Sequence, residues 1–434
     1  MGFIRKHLSS EGLHRLVKNS FAKESLPLMQ SSINWSDCLM SGLAVFGLKF
    51  PSLLKFEEEK LQPFTKYNLK KLYGVEFAPS DSCLRERLDI LEPSNFRKPF
   101  KLIFACLQRG KVLEGYKYLG GHYLLSIDGT GQYSSEKVHC KNCCEKHHRD
   151  GRVTYYHQML GMVLVHPDER VVIPFAPEPI VKADGAVKND CERTAAKRLL
   201  KDFRREHPHL KAIVVEDGLG SNYPHLALLD ALALKYVIGI KSGDHKFLFD
   251  WIKQSKGKEV IMVKDKICHT FRYVSDVPLS DEHFAYRVNV LEYWEENPNG
   301  KKQYFSWVTS LEITDDNVFE LMRAGRARWR IENETFNTLK NQGYNFERNY
   351  GHGYNNLCSV MTMLMMLAFL IDQVQQLCDR LYREVRKKKG MRTLFEHVRT
   401  LFQYVAWDNW TSLYETILYP HLHPPPIGVL PAAD

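Results

Sequence analysis

The stretch between residues 122 and 241 alternates between apolar strands and helices, and this alternation limits the folds open to the chain. Segments rich in β-branched and aromatic residues, such as "HYLLSID", "TYYHQMLGMVLVH" and "RVVIPFA", are typical of strands. The helix-like "NDCERTAAKRLLKDFRREH" follows, and then come the strand "LKAIVVED", the helix "HLALLDALAL" and the strand "KYVIGIK". Because strands that alternate with helices bury their apolar faces under them, the pattern predicts an α/β sheet with helices on its faces.

The regions on either side of this stretch differ from it. The N-terminal part is helical in pattern, and Ser80 or Asp81 can cap the helix in "PSDSCLRERLDIL". The short strands "KEVIMVK", "TFRYVS", "AYRVNVLEY" and "KQYFSWVT" predict a β-rich insertion. We therefore expect a helical N-terminal domain (1–115), the first part of the sheet core (116–243), the insertion (244–310), a core helix (311–356), and a helical C-terminal region with a Pro-rich tail (357–434).

Composition and charge narrow the class of protein. The chain is 44% hydrophobic and 26% charged, which is an ordinary balance for a soluble globular protein. Its net charge of +9 favours a polyanionic partner. The N-terminus shows no export signal, and the apolar run Val360–Ile371 suits a buried helix better than a membrane span. Ten scattered cysteines favour a reducing cytoplasm.

Two of the predicted strands end in an aspartate that a glycine follows. Asp128 ends "HYLLSID", and Asp217 ends "LKAIVVED". A single aspartate after a strand is most often a turn former. Ligands of open α/β sheets, however, gather at the carboxyl ends of strands, so both acids lie where a site would form.

A third acid lies on a later helix. The segment "RWRIENETFNTLKNQ", residues 328–342, puts Arg328, Glu332, Phe336 and Leu339 on one helical face. An exposed ion pair four residues apart would explain Glu332 by itself. Together with the two aspartates, it completes a set of three carboxylates that can hold two Mg²⁺ ions for phosphoryl transfer.

The three acidic blocks carry a resemblance to a known family. "YLLSIDGTG", "IVVEDGLGSNYPHL" and "RARWRIENETFNTLKNQGYNFERNYGHG" resemble the catalytic blocks of bacterial insertion-sequence DDE transposases, over about residues 120–355. The resemblance implies an RNase H-like mixed sheet with a β-strand insertion before the glutamate. It also implies that Asp128, Asp217 and Glu332 bind two Mg²⁺ ions, for which Mn²⁺ substitutes.

The helix of that family carries a pattern that this chain matches in part. Arg328 and Glu332 fit it, whereas Gly325 stands in the position of a tyrosine and Leu339 in that of a lysine, with Lys340 one residue late. These departures bear on the DNA-contact roles of the flanking residues.

A shifted register remains open on the same helix. Arg330 and Glu334 keep the spacing from arginine to glutamate, but this register also lacks the tyrosine and has Asn341 in the lysine position. We prefer Glu332 as the third acid. The cations Arg328, Arg330 and Lys340 would offset repulsion among the acids and contact DNA.

A cluster of cysteines and histidines follows the first aspartate. A C-x2-C pair with histidines at short range can form a tetrahedral structural zinc site, and a reduced polar hairpin loop is the alternative. Its candidate ligands lie in "HCKNCCEKHH": Cys140, Cys143, Cys144, His147 and His148.

Further DNA contacts are expected elsewhere in the chain. Trp251, Trp294 and Trp307 border or lie within the insertion, which in the related transposases stacks on a flipped base, although a tryptophan is more often part of a core. The segment "DRLYREVRKKKGMR" is a solvated helix end or a grip on phosphates. Its candidate contacts are Arg386, Lys387 and Lys388. The segment "YNLKKLYGVEFAPSDSCLRERLDIL" is a helix-turn-helix or a packed helical hairpin.

These observations predict a transposase that binds terminal inverted repeats, frees 3′ hydroxyls and joins them to target DNA. A homodimer in the DNA complex, a bacterial cytoplasmic location at the nucleoid and no membrane partner belong to this hypothesis. The alternatives are a catalytically silent, transposase-derived DNA-binding protein and a host nuclease on the same fold.

Overall fold

A mixed sheet of twelve strands runs through the part of the chain that the computed structural model describes, which is residues 6–24, 26–27, 33–185 and 188–426. The strands are β1 Lys117–Tyr118, β2 His122–Ser135, β3 Cys144–His147, β4 Val153–Val165, β5 Ile173–Pro174, β6 Glu178–Ile180, β7 Ala212–Glu216, β8 Lys235–Gly239, β9 Lys258–Lys264, β10 Ile267–Pro278, β11 Arg287–Glu296 and β12 Lys302–Thr309. They lie in the order β3-β4-β2-β7-β8-β12-β11-β10-β9, and the short strands β1, β5 and β6 pair with β2 or β4.

The centre of the sheet has an RNase H-like arrangement. Strand β2 pairs antiparallel with β4 and parallel with β7, and β7 pairs parallel with β8. In the parallel pair, Ser126 lies opposite Val215. Asp128 and Asp217 each follow two residues later, so they lie at the same level of the sheet, just beyond the end of β7. The prediction that Asp128 ends its strand is wrong, because β2 continues to Ser135 through its pairing with β4. The predicted mixed α/β fold is confirmed.

The strands of the predicted insertion extend this sheet. Strands β9 to β12 form an antiparallel meander, and β12 joins the core by pairing with β8, where Trp307 lies opposite Gly239. A helix, Lys246–Gln254, precedes the meander. The four strands read from the sequence are all present.

Helices surround the sheet, and the described N-terminal and C-terminal regions are mainly helical. Ser80 caps one of them by accepting a hydrogen bond from the Cys83 amide, as predicted. The helices are α1 Ser10–Phe21, α2 Trp35–Gly47, α3 Leu53–Lys60, α4 Pro63–Asn68, α5 Asp81–Asp89, α6 Arg97–Arg109, α7 Lys188–Glu206, α8 Tyr223–Ala231, α9 Lys246–Gln254, α10 Val318–Arg326, α11 Asn337–Asn341, α12 Leu357–Cys378, α13 Arg380–Lys388, α14 Met391–Tyr404 and α15 Trp410–Leu418.

Helix α12 is the central helix of the core, and it contains the apolar run Val360–Ile371. By length and composition it could cross a membrane, but 94% of its most apolar window is buried inside the molecule, as in the core helix of a soluble protein. It packs on α2, α5 and β5. Buried residues from Leu8 to Leu418 form one hydrophobic core around it and the sheet.

The segment that carries Glu332 departs from the expected α-helix. After α10 the chain turns, and Ile331–Phe336 forms a wider π-helical turn before α11 begins. Phe336 and Ile331 pack so closely on β4 that a Cβ at Gly161 would lie 3.2 Å from the Phe336 ring. π-Helical turns occur mostly as single-turn bulges within α-helices, often at functional sites.

Candidate active site

A backbone amide that follows each aspartate binds one of its carboxylate oxygens. One carboxylate oxygen of Asp128 accepts a hydrogen bond from the Gly129 amide at 2.8 Å, and one oxygen of Asp217 accepts from the Leu219 amide at 3.0 Å. Both side chains line the same cavity, together with Glu192 and the backbone of Gly129. In each acid, therefore, the backbone holds one oxygen and fixes the direction of the other.

Arg328 joins Glu332 to this pair. Its guanidinium donates to Glu332 Oε1 at 2.8 Å and contacts Asp128 Oδ2 at 3.4 Å. The Ser126 hydroxyl donates to the Arg328 carbonyl at 2.9 Å and so ties this turn to β2. The Arg328 side chain is largely buried, at 12% exposure, so its contact with Asp128 is shielded from solvent. This positive charge lies between two of the three predicted metal ligands.

The electrostatics of the site are those of crowded acids. Burial raises the pKa of Asp128 to about 7, the Arg328 charge opposes the rise, and the negative charges of Glu332 and Asp217 add to it. A carboxylate in such a place gains from a bound cation. The three acids supply the hard oxygen ligands that Mg²⁺ and Mn²⁺ prefer.

The alternative register lies on another side of the turn. Arg330 donates to Glu334 at 3.1 Å, and its second nitrogen donates to the carbonyl of Pro167 at 2.8 Å. Both registers therefore form the ion pair that their spacing predicts. The difference is that Arg328 also reaches Asp128.

Two departures from the family pattern have a packing explanation. A Cβ at Gly325 would lie 2.4 Å from the indole nitrogen of Trp307, so the tryptophan fills the space that a side chain at position 325 would need. Leu339 is fully buried, and a lysine there would carry its charge into the core. Lys340 instead pairs with Glu347 at 2.8 Å.

The tryptophan expected to stack on a base is not accessible. Trp307 is only 4% exposed and stacks between other rings of the sheet, so the proposed base contact would require it to leave the core. Trp251 and Trp294 are more exposed, at 36% and 37%. Trp329, which no sequence motif marked, is 48% exposed, lies beside the Arg328 guanidinium and borders the same pocket as Asp217. Its signal was its position between the two arginines.

The basic run occupies the last turn of α13. Lys387 is exposed, whereas Arg386 donates to the Lys389 carbonyl and Lys388 donates to the Leu418 carbonyl. Two of the three cations therefore already bind backbone oxygens.

The structure brings together only two of the five side chains that were predicted to bind zinc. Cys140 and Cys143 do come together, but the Cys144 thiol contacts the Ile180 carbonyl at 3.8 Å. His147 pairs with Glu145, and His148 contacts the Thr154 hydroxyl. The strand that begins at Cys144 carries these side chains away from the two thiols.

Two histidines that the sequence analysis did not select complete the cluster. His157 comes from β4 and His352 from the segment before α12, and with the two cysteines their ligand atoms all lie within 4.8 Å of one another. The cluster is compatible with zinc. The sequence offered no local signal for His352, which lies far from the cysteines along the chain.

A buried ion pair next to Asp217 was also overlooked. Glu216 and His225 approach to 2.8 Å, and although burial lowers the pKa of His225, the Glu216 charge outweighs it and raises the pKa overall. A Cβ at Gly220 would lie 2.2 Å from the Glu216 carboxylate. The glycine in this turn therefore makes room for the ion pair, which holds the turn after Asp217 in place.

The chain is similar to known transposases. The chain matches the model of the Transposase DDE domain family over residues 120–370, and no curated protein matches it. Among solved structures it is similar to the cryo-EM structure of the piggyBac transposase synaptic complex with hairpin DNA, with 10% identity, a TM-score of 0.42, and coverage of 98% of this chain and 82% of that chain. The family match spans more than half of the chain and includes all three acids, and the protein therefore belongs to the DDE transposase family.

Proposed function

We propose that the protein is the active transposase of a bacterial insertion sequence, which cuts DNA at the ends of its element and joins the freed 3′ hydroxyls to target DNA. The observation that carries this proposal is that Asp128 on β2 and Asp217 just after the adjacent strand β7 lie at the same level of the sheet, and that Arg328 joins Glu332 to Asp128. A protein that had lost catalysis would have no need to keep three acids so close together that the charges of Glu332 and Asp217 act on Asp128.

The donor set suits two Mg²⁺ ions, or Mn²⁺ in their place, held by Asp128, Asp217 and Glu332. Bound there, the ions would activate a water molecule and stabilise the negative charge that develops on the scissile phosphate. The raised pKa of Asp128 supports this fit, because a buried acid among other acids favours either a proton or a cation.

The protein's own groups would orient these ligands. The Gly129 and Leu219 amides hold one oxygen of each aspartate, which leaves the second oxygen directed away from the backbone. Arg328 holds Asp128 and Glu332 against their mutual repulsion, and its contact with Glu332 orients that side chain. Arg328 is thus a positioning residue for the two acids.

A cationic and aromatic surface next to the acids is suited to DNA. Arg326 and Trp329 line two neighbouring grooves, one of which also contains Asp217 and Lys241 and the other Arg330. Positive charges bind the phosphate backbone without reading sequence, and an exposed indole can stack on an unpaired base. We infer that the strand to be cut lies along this surface, with Lys340, Arg386, Lys387 and Lys388 as candidate outer contacts.

The expected partners are the terminal inverted repeats, the target DNA and a second copy of the chain in the DNA complex, within the bacterial cytoplasm at the nucleoid. Inverted repeats flanking the gene, with a short target duplication, would support the insertion-sequence origin.

The test is Mg²⁺-dependent nicking of a labelled duplex that carries the inverted repeat found beside the gene. Asp128→Asn and Asp217→Asn should abolish nicking while DNA binding is retained, since ligation of the metal and contact with DNA lie on different residues. Asp250→Asn, which changes an exposed acid on α9, is the matched control and should nick normally. Retained nicking in either active-site variant would remove that residue from the site.

The alternative is a catalytically silent DNA-binding protein derived from a transposase. It predicts that the wild-type chain binds the repeat and that neither Mg²⁺ nor Mn²⁺ produces nicking at saturating occupancy. The same assay therefore separates the two functions.

A further inference from the structure

Four metal-binding side chains converge from three separate parts of the chain. Cys140 and Cys143 lie in the loop between β2 and β3, His157 lies on β4, and His352 lies between α11 and α12. Within the described ranges this is the one group of three or more such residues whose ligand atoms all lie within 4.8 Å of one another. None of the four belongs to the proposed DNA-cutting site.

Four of the six distances between the ligand atoms are close to the edges of a tetrahedron around one ion, and the other two are at most 4.8 Å. The two sulfurs are 3.9 Å apart, both lie 3.4 Å from His157 Nε2, and Cys143 Sγ lies 3.3 Å from His352 Nε2. With Zn–S near 2.3 Å and Zn–N near 2.0–2.1 Å, a tetrahedral site has S–S edges of about 3.8 Å and S–N edges of about 3.5 Å. The observed edges agree with these values to a few tenths of an ångström.

Hydrogen bonding alone does not satisfy this group. Cys143, His157 and His352 are at most 6% exposed, so water has little access to them. The Cys143 sulfur faces two imidazole nitrogens and a second sulfur, yet a thiol has only one proton to donate. Unsatisfied polar groups are costly in a buried place, and a shared cation would satisfy all four at once.

The surrounding backbone orients the ligands. His352 Nδ1 lies 3.1 Å from the Gly353 carbonyl, which fixes the tautomer that leaves Nε2 free to bind a metal. The Cys140 amide donates to Cys143 Sγ, and the Cys143 amide donates to the Cys140 carbonyl, so the two cysteines form one tight turn. Contacts of this kind orient metal ligands in structural sites.

We propose that Cys140, Cys143, His157 and His352 bind one Zn²⁺ ion in a closed structural site. Four protein ligands complete the tetrahedron and leave no position for water or substrate, which distinguishes a structural zinc from a catalytic one. The ion is therefore separate in chemistry and in ligands from the Mg²⁺ ions proposed at the three acids.

The site links two parts of the catalytic core. His157 pairs with Tyr133 across the β2–β4 ladder, and β2 also carries Asp128. His352 lies in the segment that connects the Glu332 turn to α12. The side-chain amide of Asn142, within the cysteine turn, donates to the Asn355 carbonyl at 2.8 Å and reinforces the same junction. Bound zinc would thus hold the strand of the first acid and the segment that follows the third acid together.

The test is the zinc content of the full-length chain, purified with reductant and without chelator from zinc-supplemented cells. The wild type should hold about one equivalent, and Cys143→Ser and His352→Ala should each hold less than about a tenth of that amount. Matched controls are Cys144→Ser and His148→Asn, which change neighbouring residues outside the tetrahedron and should keep the full equivalent. Asp217→Asn should also keep it, so the result does not depend on DNA cleavage.

Replacement of the metal gives a second measurement that does not require a variant to fold. Wild-type protein stripped of zinc and loaded with Co²⁺ alone should show the absorption of tetrahedral cobalt together with a thiolate charge-transfer band. Wild-type protein that carries no zinc and gives no such spectrum would overturn the proposal. Loss of the metal in Cys144→Ser or His148→Asn to the same extent as in Cys143→Ser would overturn the ligand assignment.

Discussion

Glu332 and Glu334 stand two positions apart, and each accepts a hydrogen bond from the arginine four residues before it. The two pairs differ in what the arginine contacts next. Arg328 also contacts Asp128, whereas Arg330 binds a backbone carbonyl at the surface of the sheet. The role of each glutamate is therefore set by its neighbours and not by its spacing.

We expect Glu332→Gln to reduce nicking by about a hundredfold or more, since it removes a charged ligand that acts in the transition state. Glu334→Gln should change the rate by less than about threefold, because it removes one partly exposed pair worth a few tenths of a kcal/mol. Both variants are compared at equal DNA occupancy with the same labelled substrate. The reverse order of losses would assign the third acid to Glu334.

The raised pKa of Asp128 gives a prediction about stability. The folded protein binds this proton more tightly than the unfolded chain, so ionisation of Asp128 lowers the free energy of unfolding as pH rises from about 4 towards 7. Asp128→Asn removes that penalty. In the presence of chelator at pH 8, the variant should be more stable than the wild type by on the order of 1–3 kcal/mol, and at pH 4 the difference should vanish.

Added Mg²⁺ provides the control for this effect. The ion should raise the melting temperature of the wild type and have little effect on Asp128→Asn, because only the wild type keeps the complete ligand set. If Mg²⁺ stabilised both proteins equally, Asp128 would not be a metal ligand.

Among the elements, α12 depends on a cap that comes from a distant helix. Asp89, at the end of α5, accepts hydrogen bonds from the backbone amides of Tyr354, Asn355, Asn356 and Leu357, at 2.9 to 3.1 Å. Burial opposes its ionisation, but these amides outweigh burial and lower the pKa of Asp89. A negative charge is thus held at the N-terminal end of the central helix, where the helix dipole favours it.

Asp89→Ala should lower the free energy of unfolding by about 2–3 kcal/mol, since several charge-assisted hydrogen bonds are lost at one helix end. A lowered pKa means that this contribution is complete above about pH 4 and is lost as pH falls through the folded-state value. Urea denaturation at pH 7 and at pH 3 measures both parts of the prediction.

Asp81→Ala, which breaks only the partly exposed pair with Arg85, should cost under about 1 kcal/mol and serves as the control. A loss for Asp89→Ala no larger than that of Asp81→Ala would contradict the capping role.

Across the whole molecule, one buried ion pair joins the N-terminal region to the central helix. Lys49, which follows α2, lies 2.6 Å from Asp372 on α12, and both side chains are almost fully buried. Tyr344, from the segment after α11, donates to the same carboxylate, and the Lys49 ammonium lies over the rings of Tyr344 and Phe395. Four parts of the chain therefore meet at one charged group inside the shared core.

Removing one partner of this pair should be severely destabilising. We expect Asp372→Asn to reduce the free energy of unfolding by about 3–5 kcal/mol, because it leaves the Lys49 charge buried without a partner. The double variant Lys49→Met with Asp372→Leu should recover much of that loss, since it removes both charges. Urea denaturation of the single and double variants measures this coupling.

The matched control is Lys253→Gln, which breaks the exposed ion pair with Asp250 on α9 and should cost under about 1 kcal/mol. If Asp372→Asn were equally mild, the buried pair would not be what holds these regions together.

The sequence by itself was enough to predict most of the strands and helices and to single out Asp128 and Asp217 as candidate site residues. Apolar runs before Asp-Gly predict the strands that carry Asp128 and Asp217, because a strand's apolar pattern is local. The strand end expected at Asp128 does not occur, since β2 continues to Ser135 by pairing with β4, and that pairing has no local signal. The buried helix at Val360–Ile371 and the cap at Ser80 follow from the same local rules. The apolar helical face beneath Glu332 indicates the third acid, and the family resemblance favoured it over Glu334.

Only the tertiary structure decided which distant side chains meet. His157 and His352 join the two cysteines because strand pairing and the packing of α12 bring them there, and no local pattern records either event. Trp307 is buried because α10 packs on β12 at Gly325, while Trp329, four residues after Gly325, is left exposed. Which side chains are buried, and which distant ones touch, depends on how helices and strands pack against one another. The packing energy comes from contacts between residues that are far apart in the sequence, so no local pattern contains it.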